Sequence, residues 1–348
     1  MYCYGRNIYF ILFFLFNFSC SFFNSIEGEF KGQTMGTYYH VKWHNVPQKK
    51  SGKDKKSLIA EIENKLKKIN KIFSTYDLNS ELSLLNKNLT TEDVEISKEL
   101  YVVIDKSIYV SKISNGVYDV TINPLINLWG FGGKEKKIIS IPSKIEISEA
   151  KENMGYDKIK LTKKNNKYYI RKENKNIEVD LSSIAKGYAV DKIAELIENA
   201  GWFNYLVEIG GEIKTKGVSN SQKPWKIGIN LPKDDAKIND VFQVLELSDK
   251  SLATSGTYRN YFKMENQKYS HILNAKTGFP VIHKVVSVSI IADSCDFADA
   301  LATAGLILGE KSKNLFNELK VDFLIVEINE KEELIKTMSP NWPVANDP

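Results

Sequence analysis

Cysteine and histidine are scarce in this chain of 348 residues, which has three of the first and four of the second. Zinc or iron centres built on clusters of those side chains are therefore not expected, and a metal would need hard oxygen donors. Beyond the N-terminal segment only Cys295 remains, so there is no disulfide framework. A Gly-rich fingerprint of the dinucleotide or P-loop type is also missing, which leaves scattered loops to hold any nucleotide. The formal net charge is only +5, with acidic residues mixed among the lysines. No basic stripe marks a nucleic-acid partner. No internal repeat or long low-complexity linker divides the chain.

What is present suffices for a substantial core. With 43% hydrophobic and 26% charged residues, the chain suits one large globular domain or two intimate ones. Residues 1–7 carry one charge, Arg6, ahead of the apolar run IYFILFFLF over 8–16. That run is short for a membrane span and suits a signal-peptide core. It leads into Asn17-Phe18-Ser19-Cys20. A small residue directly before a cysteine resembles the cleavage and acylation site of bacterial lipoproteins, although Asn17 stands where an aliphatic residue is usual. We expect a signal peptide over 1–19, a tether over 20–30 behind a lipidated Cys20, and a folded domain over 31–340. The protein is then exported and lipid-anchored at the periplasmic or outer face of a bacterial membrane. Simple secretion and an uncleaved anchor are the alternatives.

Periodicity predicts a strand over 37–43 and a helix over 57–73 with Leu58, Ile62, Leu66, Ile69 and Phe73 on one stripe. A polar loop and a short helix follow, then a helix over 97–114 that Gly116 ends. The Pro, Trp and glycines of 116–133 read as an ordered loop, either a pocket wall or an aromatic plug. A helix starts at Ser143, and strands are expected over 158–162, 167–171 and 177–180. Residues 205–209, 212–217, 225–230, 241–247 and 285–292 alternate as sheet. Residues 293–308 form an Ala-rich helix. Strands in runs, separated from helices, favour an α+β fold with mixed, largely antiparallel sheets and packed helices.

Residues 179–211 carry the most chemistry. Asp180 ends an apolar segment, Ser182 and Ser183 offer hydroxyls at a helix start, and Lys186 falls in the first turn. A cation beside free helix N–H groups suits a phosphate-sized anion, or else is a solvated lysine on a capped surface helix. Asp299 and Thr303 lie four apart on one helical face. They are a ligand pair for Mg²⁺ if phosphates and waters complete the shell, or else an end charge and a back-bonded threonine. His271, between sheet-like Tyr269 and a Thr-Gly-Phe-Pro turn, is the natural general base.

Several ordered blocks together resemble the ApbE family, the FAD:protein FMN transferases. They are Thr34-Met35-Gly36-Thr37, Ser74-Thr75-Tyr76 with Ser80-Glu81, Tyr118-Asp119-Val120-Thr121 with Pro124-Leu125, and Leu128-Trp129-Gly130-Phe131-Gly132. Asp180-Leu181 with Ile184 to Asp191, Gly210-Gly211, Ser255-Gly256, His271 with Thr277-Gly278-Pro280, and Ala298 to Thr303 complete the set. The resemblance runs from Gly32 to about Gly309. It implies an ApbE-like fold, FAD as substrate, Mg²⁺ as helper, and transfer of FMN to a Thr or Ser hydroxyl of an acceptor protein with release of AMP. The implied acceptor is a subunit of a membrane redox complex. By the same resemblance Met35, Tyr76, Tyr118, Asp119, Val120, Asp180, Lys186 and Ile272 meet FAD. Asp299, Thr303 and a backbone oxygen of Ser183 hold the metal, and His271 deprotonates the acceptor. Ser182 and Ser183 stand where relatives often have glycine or alanine, and Asn274 where aspartate is common. Competing roles are an FAD diphosphatase giving FMN and AMP, and a flavin-binding lipoprotein without catalysis.

Overall fold

A computed structural model describes residues 27–44, 54–132, 140–237, 239–258, 260–264 and 267–345. The expected signal peptide, Cys20 and the first part of the tether lie outside the described residues. The strands β1 (Glu27–Thr34) and β2 (Thr37–His44) form a hairpin whose turn residues Met35 and Gly36 have φ of 50° and 72°. Both are left-handed, as a two-residue hairpin turn requires, and Gly36 adopts that geometry without strain. Residues 27–30, expected in the tether, are part of this edge strand.

The helix α1 (Lys55–Phe73) buries the whole predicted stripe and begins two residues early because Asp54 caps it, accepting the Ser57 N–H at 3.0 Å. Short α2 (Glu81–Lys87) is capped by Ser80. Then come β3 (Val94–Ile96) and α3 (Lys98–Ile113), capped by Ser97. Where an ordered loop was expected, α4 (Asn123–Leu128) forms, with Pro124 tolerated in its first turn. A Ser143–Glu146 capping box starts α5 (Lys144–Glu152). The strands β4 (Ile159–Lys164) and β5 (Lys167–Lys172) join β3 in a small sheet. The strand expected over 177–180 does not form. Val179 is held on both its N–H and C=O by the Asn86 amide at 2.8 Å, and the Asp180 N–H donates to Val120 O at 2.7 Å, so this backbone is satisfied without a ladder.

The second half supplies α6 (Ala185–Asn199), β6 (Asn204–Ile209), β7 (Glu212–Lys216), β8 (Trp225–Asn230) and β9 (Val241–Leu247). They are followed by β10 (Ser251–Gly256), β11 (Tyr261–Met264), β12 (Gln267–Ser270) and β13 (Val285–Ala292). Last are α7 (Cys295–Leu308), α8 (Ser312–Leu319), β14 (Asp322–Ile328) and β15 (Leu334–Met338).

Eight strands make the central sheet in the order β1-β2-β6-β7-β10-β13-β14-β15, and each described pairing is antiparallel. The expected α+β class holds. Period two sorts the side chains. Tyr205, Val207 and Ile209 of β6, with Phe323 and Ile325 of β14, face a core shared with α1, α3, α6 and α7. Leu206, Leu324 and Val326 face the opposite side, where the β8–β9 ribbon lays Trp225, Ile227 and Leu245 over the sheet. Both faces are covered, which accounts for the unbroken burial over 287–291 of β13 and the apolar run 323–326 of β14. A third cluster gathers Leu125, Trp129, Ile147, Tyr269 and Leu273 under the end of α4.

Helices α6 and α7 touch closely because position 187 is glycine. A Cβ there would stand 2.3 Å from the Cys295 carbonyl oxygen. This contact brings the start of α6 against the first turns of α7.

Candidate active site

A cavity of about 380 Å³ opens where the loop before α6, the first turn of α6, the starts of β7 and α4, the end of β10, the segment after β12 and the inner face of α7 meet. Tyr118, Asp119, Asp180, Ser183, Lys186, His271, Ile272, Asp299 and Thr303 all line it. These come from sequence positions far apart, and the sheet and the α6–α7 contact bring them to one place.

Lys186 does fall in the first turn of α6, but the serines before it do not cap the helix: Ile184 is the N-cap and no side chain bonds there. Ser182 instead donates its hydroxyl and its N–H to Asp180 Oδ1. Ser183 donates its hydroxyl to Tyr118 Oη at 2.9 Å. The Asp180 and Tyr118 side chains are thereby tied to the loop that leads into α6. Asp119 is buried, and its carboxylate accepts from the Thr121 N–H at 2.8 Å, the Thr121 hydroxyl at 2.7 Å and the Tyr156 N–H at 3.1 Å. With these bonds it is the internal brace of its loop. Burial nonetheless lifts its carboxyl above the usual range.

At the centre is a charge triad of two buried carboxylates and a half-buried ammonium. The Lys186 ammonium lies 2.9 Å from Glu212 Oε1 and 3.6 Å from Asp299 Oδ1. Asp299 Oδ2 accepts the Gly187 N–H at 3.0 Å. Burial opposes the charge on Lys186, but Asp299 and Glu212 outweigh it and hold the ammonium above the usual lysine range. Burial likewise raises both carboxyls, with Lys186 partly offsetting it. Thr303, one turn beyond Asp299, shares a hydrogen bond with the Ser255 hydroxyl at 2.9 Å.

His271 follows β12 directly. Its Nδ1 stands 2.9 Å from Asn260 O, and a carbonyl oxygen can only accept, so Nδ1 carries the proton and donates. Nε2 is left with a lone pair. Burial depresses the imidazole pKa and Lys186 adds to the effect, against the opposing pull of the Asn260 carbonyl. The ring packs edge-on to Phe131. A neutral, oriented imidazole in the same cavity as the Lys186 ammonium is the arrangement of a general base for a substrate carrying phosphate.

The oxygens suit a hard cation. Among the described residues no three His, Cys, Asp or Glu side chains come together as a metal cluster. The donors are the Asp299 carboxylate and the Thr303 hydroxyl, a set that water, or phosphates when a ligand is bound, would complete. Glu212 Oε2, buried and without a protein partner, adds unsatisfied negative charge next to them.

The chain matches known proteins along most of its length. A family model described as the ApbE family matches residues 35–325. The chain belongs to the ApbE family. The FAD:protein FMN transferase of Vibrio cholerae is 38% identical over 280 residues, spanning 80% of this chain and 81% of that relative. Its namesake from Haemophilus influenzae is 39% identical over 280 residues, spanning 80% of each. The solved structure of the flavin transferase ApbE from Vibrio cholerae superposes with a TM-score of 0.80 at 33% identity, covering 91% of this chain and 98% of that one.

Three residues that ApbE resemblance assigns to FAD are not on the cavity wall. Met35 sits in the β1–β2 turn, half-buried against the main core. Tyr76 lies in the turn between α1 and α2, 78% exposed, with its N–H on Ser74 Oγ at 3.2 Å. Val120 is buried, and its carbonyl serves Asp180 rather than the cavity. Trp129 belongs to the plug: it is fully buried, stacks on Tyr269 and donates its indole N–H to Gly278 O, while Ile122 and Ile126 supply the wall. Asp296 pairs with Lys106 and accepts from Ser294, a structural role away from the cavity. Sequence reasoning passed over Glu212 altogether. Its one signal was an acid immediately behind Gly210-Gly211 at the start of an inward-facing strand.

Proposed function

We infer that this protein transfers FMN from FAD to a hydroxyl group of an acceptor protein and releases AMP. The observation that carries this reading is His271, held as a neutral base with Nε2 bare in the same cavity as Lys186, Asp299 and Thr303, in a chain of the ApbE family. His271 takes the proton of the acceptor hydroxyl. The oxygen then forms a bond to the phosphorus on the FMN side of the diphosphate, the bridging P–O bond breaks, and AMP leaves with that electron pair. Lys186 sets a positive charge against the diphosphate at the start of α6, where free N–H groups also favour an anion. Ile122, Ile126 and Ile272 give the cavity an apolar wall.

Asp299 and Thr303, with a backbone oxygen of Ser183, would hold Mg²⁺ with phosphates completing the shell. Such an ion would neutralise charge on the diphosphate and on the leaving AMP. The acceptor side chain is taken to be Thr or Ser on a subunit of a membrane redox complex. We further propose that the chain is exported and tethered to the membrane through Cys20; a mass spectrum of the mature N-terminus checks the acyl group. Incubation with FAD, Mg²⁺ and a Thr-containing acceptor should give a flavin-fluorescent protein band. An unlabelled acceptor, with intact FAD recovered, would refute the transfer.

A further inference from the structure

Glu212 opens β7, is 3% exposed, and lines the cavity. Its Oε1 receives the Lys186 ammonium at 2.9 Å, while Oε2 has no protein partner. Lys186 Nζ is also 3.6 Å from Asp299 Oδ1, beyond a good hydrogen bond. The other Asp299 oxygen is fixed by the Gly187 N–H. A buried carboxylate oxygen without a donor is costly to leave so, and the adjacent ammonium has three N–H groups to offer. A turn of the ammonium toward Oε2 would satisfy both Glu212 oxygens and end its contact with Asp299.

We propose that Glu212 is a positioning residue that draws the Lys186 ammonium away from Asp299 and so frees Asp299 Oδ1 for a divalent cation. The proposal rests on the reading of Asp299 and Thr303 as metal donors. Charge supports it. With both acids ionised, two carboxylates and one ammonium give the triad one net negative charge. Without the Glu212 charge, Lys186 neutralises Asp299, and a dication must enter a buried pair that is already neutral. The unpartnered Oε2 is the acceptor that receives the ammonium as the cation arrives.

The test uses Mn²⁺ as the probe, followed by its free-ion paramagnetic resonance signal, on FAD-free protein whose fold is checked by circular dichroism melting. Glu212→Gln should weaken Mn²⁺ binding roughly tenfold or more, as loss of an outer partner of a metal ligand does. The double variant Glu212→Gln with Lys186→Met should bind nearly as tightly as wild type, because no ammonium is left to occupy Asp299 and the net charge is restored. Unchanged binding in Glu212→Gln overturns the proposal. So does a double variant as weak as the single one, since Glu212 would then act as a ligand itself. A separate arm keeps the underlying reading distinct: Mn²⁺ affinity unchanged in Asp299→Ala would overturn the metal site, and the proposal with it.

Discussion

Substituting Gly187 with alanine tests whether the α6–α7 contact sets the geometry of the site. The added Cβ would meet the Cys295 carbonyl oxygen at 2.3 Å, its carbon at 2.6 Å and Asp296 Cα at 2.7 Å. These are backbone atoms that cannot rotate away. Raising 2.3 Å to the 3.4 Å of ordinary contact parts the helices by roughly 1 Å. Overpacking of that kind costs about 1–3 kcal/mol, against which alanine recovers up to about 1 kcal/mol of helix propensity. A net loss of up to about 2 kcal/mol in urea unfolding is expected. The larger effect is on chemistry. Ser183 and Lys186 move with α6, Asp299 and Thr303 with α7, and the Gly187 N–H bond to Asp299 lengthens. A misplacement of about 1 Å in a catalytic constellation lowers rate on the order of 100-fold. The assay is the single-turnover rate of flavin labelling at saturating FAD, beside urea unfolding of the same preparation. A variant more stable than wild type and labelling at the wild-type rate would refute the reasoning.

Three further outcomes follow from the same structure. Because burial holds the His271 pKa below the usual value of about 6.5, the base is neutral above that lowered pKa; the labelling rate should climb with pH to a plateau, its midpoint below about 6.5, and His271→Ala should lose both limb and rate. Lys172, 2% exposed, donates to the carbonyls of Asn88, Lys175 and Ile177 at 2.9–3.1 Å and of Leu85 at 3.4 Å; Lys172→Met leaves these acceptors without their donor and should cost about 3 kcal/mol in urea unfolding. Thr303→Val removes the hydroxyl bonded to Ser255 and should raise the Mg²⁺ concentration for half-maximal labelling about tenfold, read by titration after chelation.

Much of the fold was legible because its signals are local. The stripe Leu58 to Phe73 repeats at helical spacing, Ser97 and Ser143 are helix caps, and the alternation over 205–209 is that of a strand between two cores. Readings went astray where tertiary partners replaced local ones. Residues 177–180 look like a strand, yet the Asn86 amide and the Val120 carbonyl satisfy their backbone. Ser182 and Ser183 look like caps, yet Asp180 and Tyr118 claim their hydroxyls.

By itself the sequence determined the class of fold, the order of the motif blocks and the types of side chain available for chemistry, since periodicity, capping and residue type act within a few positions of the chain. Only the tertiary structure decided which of these residues share a cavity. Tyr76 is left on a surface turn, Asp119 is bound up in its own loop, and Glu212 is buried with one oxygen unpaired against Lys186. The physical reason is that the site's charges are set by burial and by partners more than a hundred residues away, as with Gly187 and Asp299. A glycine at a helix crossing fixes that proximity, and no local pattern encodes it.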